Sequence, residues 1–174
     1  MMELGVFDLH MILSASQRTL KLFDARHGLV FTCETRNKTV ADGQYGHNGN
    51  CPPGEFLLGN PSPRGTVPFG DWFIPLLDYG AHHAMRDHRR SGIGLHGGGS
   101  GLTHPFAPQQ SPPWVPTHGC WRLLNRDLAR LVTLLERCSE DGGVCYATVV
   151  VALPGAPADM LDDWAPVVPL AEGE

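Results

Sequence analysis

Short stretches of alternating or continuous hydrophobic residues recur along the chain and are separated by glycine, proline and other turn residues. Such stretches are typical of β-strands with one or both faces buried. The second and third stretches form a predicted hairpin, and Pro75 makes the fifth an edge strand or a bulged strand. The predicted strands are 6–13, 19–23, 28–35, 55–59, 71–79, 91–96 and 144–153.

One segment has the spacing of a long helix. Leucine and valine recur there every three or four residues, which predicts a helix over 125–138. Asn125 is the predicted N-cap, and the turn at 141–143 ends the helix. The polar segment 81–90 is predicted to be either a helical turn or an exposed loop.

The length of 174 residues fits one domain with a single hydrophobic core. Glycine and proline are frequent, and they predict long loops at 37–53, 60–70 and 97–116. We therefore predict a mainly β domain over 1–153 with one main helix. A tail rich in proline, alanine and acidic residues follows over 154–174.

Charge and hydropathy argue against two classes of partner. The net charge is −5 and the 13 lysines and arginines are scattered, which argues against nucleic acid. No window is apolar over the length that a membrane span needs. The first residues also lack the basic and apolar regions of a signal peptide.

Cysteine and histidine spacing argues against a metal centre. No two cysteines have CxxC spacing, and His82, His83 and His88 do not place two ligands on one helical face. We expect neither a metal nor an organic cofactor. The five cysteines fit two disulfides and one free thiol, or five free thiols. Cys138 and Cys145 either pair across the turn between them or stay reduced.

Cys120 is the cysteine whose neighbours indicate chemistry. It ends the run THGC at 117–120, and a second His-Gly pair, His96-Gly97, lies upstream. A nucleophilic cysteine needs a base and a lowered pKa. We expect Cys120 to lie just before the helix, where free backbone amides stabilise a thiolate and an oxyanion. His96 is the expected base, with the Gly97 carbonyl fixing its tautomer, and His118 is the alternative.

Three residues near Cys120 are candidates for substrate contact. Arg122 is expected to serve the site rather than the solvent, because a charge beside an apolar turn needs a partner. Trp114 and Trp121 either line a substrate groove or pack against the domain.

The motif resembles that of the YkuD family of L,D-transpeptidases. In that family a histidine and a variable spacer precede Ser or Thr, His, Gly, Cys, a hydrophobic residue and Arg or Asn. The run Cys51-Pro52-Pro53-Gly54-Glu55-Phe56 is also similar to the family's Thr-Pro-x-Gly-x-Phe turn and strand. The resemblance covers about residues 15–153. The matching catalytic residues here are His96 and Thr117-His118-Gly119-Cys120-Trp121-Arg122.

The resemblance implies a β-sandwich-like catalytic domain in which Cys120 forms a thioester with a peptidoglycan stem peptide. The acyl group then passes to an amine, as a cross-link or an amino-acid exchange, or to water, with loss of D-alanine. By position, His96 is implied as the base and Gly97 as its orienting residue. The amides of His118, Gly119 and Cys120 are implied as the oxyanion hole. Arg122 is implied as either a structural residue or the residue that binds the substrate carboxylate. The candidate substrate-binding residues are Arg122, Thr117, Trp121 and Trp114.

Two features differ from the usual family pattern. The spacer is long and rich in glycine and proline, which indicates an altered lid and acceptor choice. No leader or peptidoglycan-binding module is recognised, so we expect a bacterial enzyme that reaches the periplasm or cell wall by another route. A secretion-system effector, a phage enzyme and a removed leader all fit. The alternative functions are a cysteine acyltransferase acting on a different amine and a catalytically silent peptidoglycan-binding module.

Overall fold

The computed structural model describes residues 7–26, 28–35, 45, 50–66, 69–98 and 119–150. These ranges contain nine strands and two helices. In chain order they are β1 Leu9–Ser14, β2 Thr19–Asp24, β3 Gly28–Glu34, β4 Gly54–Leu58, β5 Ser62–Thr66, β6 Gly70–Leu77, α1 Ala84–Asp87, β7 Gly94–His96, β8 Trp121–Arg122, α2 Asn125–Glu140 and β9 Cys145–Val150.

The strands form one sheet in the order β3-β2-β1-β9-β4-β6-β7-β8, with β5 added beside β6. The pairs β1–β9 and β7–β8 are parallel, and the other pairs are antiparallel. Strand β6 joins the two halves of the sheet, because its end pairs with β4, its start pairs with β5, and β7 lies along its other edge. The predicted mainly β fold with one main helix is confirmed, as is the hairpin of β2 and β3.

The core forms where alternate strand residues meet one face of α2. Met11 and Leu13 on β1 and Leu20 and Leu22 on β2 are all fully buried at every second position. Each buried leucine contributes about 1.5–3 kcal/mol relative to an exposed one. On α2 the buried residues recur at helical spacing, which fixes the side of the helix that packs against the core. They are Leu128, Leu131, Val132, Leu135 and Cys138.

The predicted long helix is confirmed, but its first residue, Asn125, does not cap it as expected. Asn125 is not the N-cap: Leu124 occupies that position, and it makes no capping hydrogen bond through its side chain. At the other end, Asp141 is the C-cap, and Gly142 follows with φ +80°, a conformation that favours glycine. Neither helix in the described ranges is long and apolar enough to cross a membrane.

Two strand predictions are wrong. The stretch 60–70 was expected to be a loop, yet it contains β5, an exposed strand that pairs with β6. Strand β6 was expected at an edge or with a bulge, yet it is central, and the register shift in its pairing with β5 falls on the β5 side, between Pro63 and Thr66. Pro75 is tolerated there because it lies opposite Gly59, just beyond the end of β4: its carbonyl accepts the Gly59 N–H at 2.9 Å, and its ring occupies space that a Cβ on Gly59 would need.

Some sequence predictions lie outside the described residues. They include the long spacer from residue 99 onwards and most of the 37–53 loop. The domain boundary predicted at residue 153 and the tail over 154–174 also lie there, so both stay predictions. All five cysteines are described, and all are free thiols. Cys138 donates a hydrogen bond to the Phe7 carbonyl at 3.2 Å rather than pairing with Cys145.

Candidate active site

Strands β7 and β8 bring the two halves of the sequence motif together. Their parallel register places His96 beside Arg122 and Leu95 beside Trp121. Because side chains alternate along a strand, His96 and Arg122 share one face of this pair. Cys120 directly precedes β8 and lies two residues before Arg122, so we expect the alternation of β8, continued by one residue, to put it on the same side as Arg122.

The imidazole of His96 is held from its Nδ1 side. Nδ1 lies 2.8 Å from the Gly97 carbonyl oxygen. A carbonyl only accepts hydrogen bonds, so Nδ1 carries the proton and Nε2 is the basic nitrogen. This is the contact that the sequence analysis expected of Gly97; the catalytic roles of the two residues stay predictions.

Aromatic side chains enclose the same imidazole. His96 is 2 % exposed. The Phe69 ring meets it edge-on with centroids 5.0 Å apart, and the Phe73 ring stacks on it at 6.4 Å. Burial lowers the pKa of His96 to about 4, the Gly97 hydrogen bond opposes this shift, and the charge of Arg122 adds to it. The imidazole is therefore neutral at neutral pH.

The backbone around Cys120 bends sharply. Gly119 has φ +99°, which L-residues with side chains rarely adopt, so glycine is required at this position. The Cys120 thiol donates to the Gly92 carbonyl at 3.6 Å. Cys120 does not lie just before the helix as expected, because β8 separates it from α2. The amides at the start of α2 are therefore not those of Cys120.

Burial raises the pKa of the Cys120 thiol, in contrast to the lowered value expected from the sequence. A hydrogen bond from the Gly94 backbone and the charges of Arg90 and Arg122 oppose this shift. Arg122 itself is buried, and burial lowers its pKa while Cys120 raises it. The site thus places two cations near the sulfur, where they favour the thiolate.

Trp121 points into the molecule. It is fully buried in the hydrophobic core, so it packs inside the domain rather than lining a groove, the second of the two alternatives. Trp121 neighbours the buried Cys51. Burial raises the pKa of the Cys51 thiol to about 12, and the Trp121 side chain opposes that shift. Trp121 therefore supports β8 from the core side.

Three of the candidate residues lie outside the described residues: Thr117, His118 and Trp114. Their predicted roles stay predictions. The histidines of the 81–90 segment make separate contacts: His82 lies 2.9 Å from Glu55, and the His88 ring meets that of Tyr45. In the part of the chain that the structure describes, no three His, Cys, Asp or Glu side chains are grouped to hold a metal.

The structure adds four residues to the site that the sequence analysis did not assign to it. Arg90 acts on the charge of Cys120, and Phe69 and Phe73 enclose His96. Asn125 accepts a hydrogen bond from the Gly98 N–H at 2.8 Å, which explains why its side chain does not cap α2. The sequence does carry a signal for Asn125, which is a polar residue at the start of the predicted helix, but that signal predicts a helix cap rather than a residue of the site.

The buried His96 is expected to make the fold less stable in acid. Its pKa is about 4 in the folded chain and near the ordinary 6.5 in the unfolded chain, so between these values the unfolded chain binds more protons. Stability is therefore full above pH 6.5 and falls by about 3 kcal/mol as the pH drops towards 4. Urea unfolding across this range measures the loss. The His96→Gln variant should not show this loss of unfolding free energy between pH 6.5 and 4. The same pH dependence in the variant and the unchanged protein would contradict a lowered pKa of His96.

Cys120 is expected to be the cysteine that iodoacetamide alkylates first. Burial raises the pKa of Cys33 and Cys51 each to about 12. Cys33 and Cys120 are the two half-exposed thiols, and of these only Cys120 has two cations nearby. Because its own pKa is raised, the rate should increase about tenfold per pH unit above neutrality. Peptide mass mapping after timed quenching measures each site. Slow, uniform labelling of all five thiols would count against an accessible nucleophile.

Comparison with known proteins agrees with this fold and motif. Residues 10–157 match the YkuD family, described as an L,D-transpeptidase catalytic domain. The helical cell shape determining protein Pgp2 from Campylobacter jejuni is similar in structure, with a TM-score of 0.60 and 14% identity, over 84% of this chain and 48% of that one. The L,D-transpeptidase (Yku) from Stackebrandtia nassauensis gives 0.53 and 16%, over 85% and 58%.

At such low identity the two solved structures support the fold alone, and this chain spans about half the length of each. No match was found among the curated proteins. The family match covers residues 10–157, which include β2 to β9, α2 and both halves of the sequence motif. On this match, the chain belongs to the YkuD family of L,D-transpeptidase catalytic domains.

Proposed function

We propose that the protein is a cysteine L,D-transpeptidase or L,D-carboxypeptidase that acts on peptidoglycan stem peptides through an acyl-enzyme on Cys120. One observation carries the proposal: His96, a buried histidine with a fixed Nδ1 proton, lies on β7, and β7 pairs with β8, which begins directly after Cys120. A nucleophile and an oriented base are the minimum for acyl transfer through a covalent intermediate.

The first half-reaction starts from a neutral pair. The pKa of His96 is lowered and that of Cys120 is raised, so a neutral imidazole and a thiol are the resting forms. As sulfur attacks the peptide carbonyl, the thiol proton passes to Nε2 of His96. The backbone amides of Gly119 and Cys120 stabilise the oxyanion. The C–N bond then breaks, His96 returns the proton to the departing amine of D-alanine, and a thioester remains on Cys120.

The second half-reaction consumes the thioester. An amine or water attacks its carbonyl, His96 accepts the proton from the attacking group, and the thiol of Cys120 is released with that proton. An amine gives a cross-link or an exchanged amino acid, and water gives a shortened stem peptide. Both half-reactions use the same base in opposite directions, as microscopic reversibility requires.

Two arginines fit the charge of this substrate class. Stem peptides end in a carboxylate, and the attacked bond lies next to that terminus. Arg122 is buried beside Cys120, where it stabilises the developing thiolate. Arg90 is only half-buried and also acts on the Cys120 charge, so we assign it the terminal carboxylate of the donor peptide. The substrate class places the activity in the bacterial periplasm or cell wall.

Mass spectrometry of purified muropeptides after incubation with the protein tests this function. Loss of D-alanine indicates a carboxypeptidase, a new D-amino acid indicates exchange, and new dimers indicate cross-linking. Each of these products should be absent with the Cys120→Ala variant. Unchanged muropeptides with the intact protein would contradict a peptidoglycan substrate and favour either a different acyl acceptor or a silent module.

A further inference from the structure

The start of α2 carries a polar side chain that the proposed mechanism does not use. Asn125 is the first residue of the helix, and its side chain makes no cap. Its Oδ1 instead accepts a hydrogen bond from the Gly98 N–H at 2.8 Å. Gly98 lies two residues after His96, so this bond ties α2 to the segment that carries the proposed base.

The bond involves the peptide unit that also holds the imidazole. The Gly97 C=O and the Gly98 N–H belong to one planar trans peptide, so they point in opposite directions. The carbonyl end accepts from Nδ1 of His96 at 2.8 Å, and the amide end donates to Asn125 at 2.8 Å. A rotation of this peptide therefore breaks both hydrogen bonds together.

Close packing fixes the amide of Asn125 in this place. A Cβ on Gly97 would lie 2.1 Å from Asn125 Oδ1, and a Cβ on Gly70 would lie 2.7 Å from the same atom. Glycine at both positions is what allows the amide oxygen to reach the backbone. The Gly97 N–H donates to the Phe69 carbonyl at 2.9 Å, which anchors the segment on its other side.

We propose that Asn125 is a positioning residue for His96: it holds the 97–98 peptide so that the Gly97 carbonyl keeps the His96 proton on Nδ1. The chain Asn125–peptide–His96 also aligns two hydrogen bonds head to tail, and such alignment strengthens both. The catalytic part of this inference rests on the proposed role of His96 as the base. The structural part, that Asn125 keeps the His96 proton on Nδ1, does not depend on that role.

The test compares two substitutions that differ in the acceptor oxygen. Asn125→Leu keeps the approximate size but removes the acceptor, and Asn125→Asp keeps an acceptor oxygen in place. Nitrogen-15 NMR of the His96 imidazole at neutral pH reports which ring nitrogen carries the proton. We expect Nδ1–H in the unchanged protein and in Asn125→Asp, and a mixture with Nε2–H in Asn125→Leu. Arg126→Leu, on the neighbouring residue with 80% of its side chain exposed, is the control and should keep Nδ1–H.

Activity gives the second readout. On muropeptides, Asn125→Leu should lower kcat by about 10–100-fold with little change in KM, the size of loss typical when a group that orients a functional histidine from the second layer is removed. Asn125→Ala removes the acceptor without a branched side chain and carries the same expectation if the leucine variant does not fold. A retained Nδ1 proton in the variants without an acceptor would overturn the proposal, as would its loss in Asn125→Asp. The NMR measurement of the tautomer needs no substrate, so it can be interpreted even if the protein does not act on peptidoglycan.

Discussion

Cys120→Ala is expected to abolish turnover of peptidoglycan stem peptides, with a loss of at least about 10⁴-fold, because no other group on the β7–β8 face supplies a nucleophile in the described part of the chain. The fold should remain intact, since Cys120 is only half-buried and lies outside the hydrophobic core. Timed release of D-alanine from a tetrapeptide donor measures the activity, and thermal unfolding measures the fold.

Cys33→Ala is the matched control for this variant. Cys33 lies on β3, at the opposite end of the sheet order from β8, and the charges that act on its thiol are those of Asp127, Arg130 and Glu34 rather than those of Arg90 and Arg122. The control should keep activity close to that of the unchanged protein. Activity that persists in the Cys120 variant would refute the nucleophile assignment, and a comparable loss in both variants would indicate a stability effect.

His96→Ala is expected to lower kcat by about 100-fold or more, because removal of a general base leaves only water to accept the thiol proton. The effect should be smaller than that of Cys120→Ala, since the oxyanion donors and the cations near the sulfur remain. Steady-state rates over pH 5–9 measure it. At high pH the variant should recover part of its rate, because hydroxide deprotonates the thiol of Cys120 without help from the imidazole.

His118→Ala is the comparison that decides which histidine is the base. His118 precedes Cys120 by two residues and was the alternative in the sequence analysis. If His96 is the base, the His118 variant should lose less activity than the His96 variant. A larger loss with His118→Ala would transfer the role of base to that residue.

Much of the fold follows from local sequence patterns. Hydrophobic residues at every second position predict β1, β2 and β9, and helical spacing predicts α2, because each element buries one face in the same core. The patterns fail where burial is absent or the element is very short. Strand β5 has almost no buried residue, so its sequence carries no hydrophobic period. Strand β8 has two residues and pairs with a parallel strand whose register partners lie 26 positions upstream, as Leu95 does from Trp121.

The candidate site divides in a similar way. His96, Gly97 and Cys120 could be named as candidates because their chemistry and spacing can be read in the sequence itself. The direction in which the Cys120 pKa shifts could not be predicted, because the burial of the thiol depends on distant parts of the chain. The side chain of Asn125 was interpreted as a helix cap for a similar reason. A polar residue at a helix start usually caps that helix, whereas the hydrogen bond that Asn125 makes joins it to Gly98, 27 positions away.

The most direct test of the central claim, a thioester on Cys120, is intact-protein mass spectrometry after acid quenching of a reaction with a tetrapeptide donor. We predict a mass increase equal to the mass of the donor minus the mass of the released D-alanine. Peptide mapping should place this adduct on Cys120, hydroxylamine should remove it, and Cys120→Ala should not form it. Release of D-alanine without an adduct on Cys120, or with an adduct on another residue, would contradict the account.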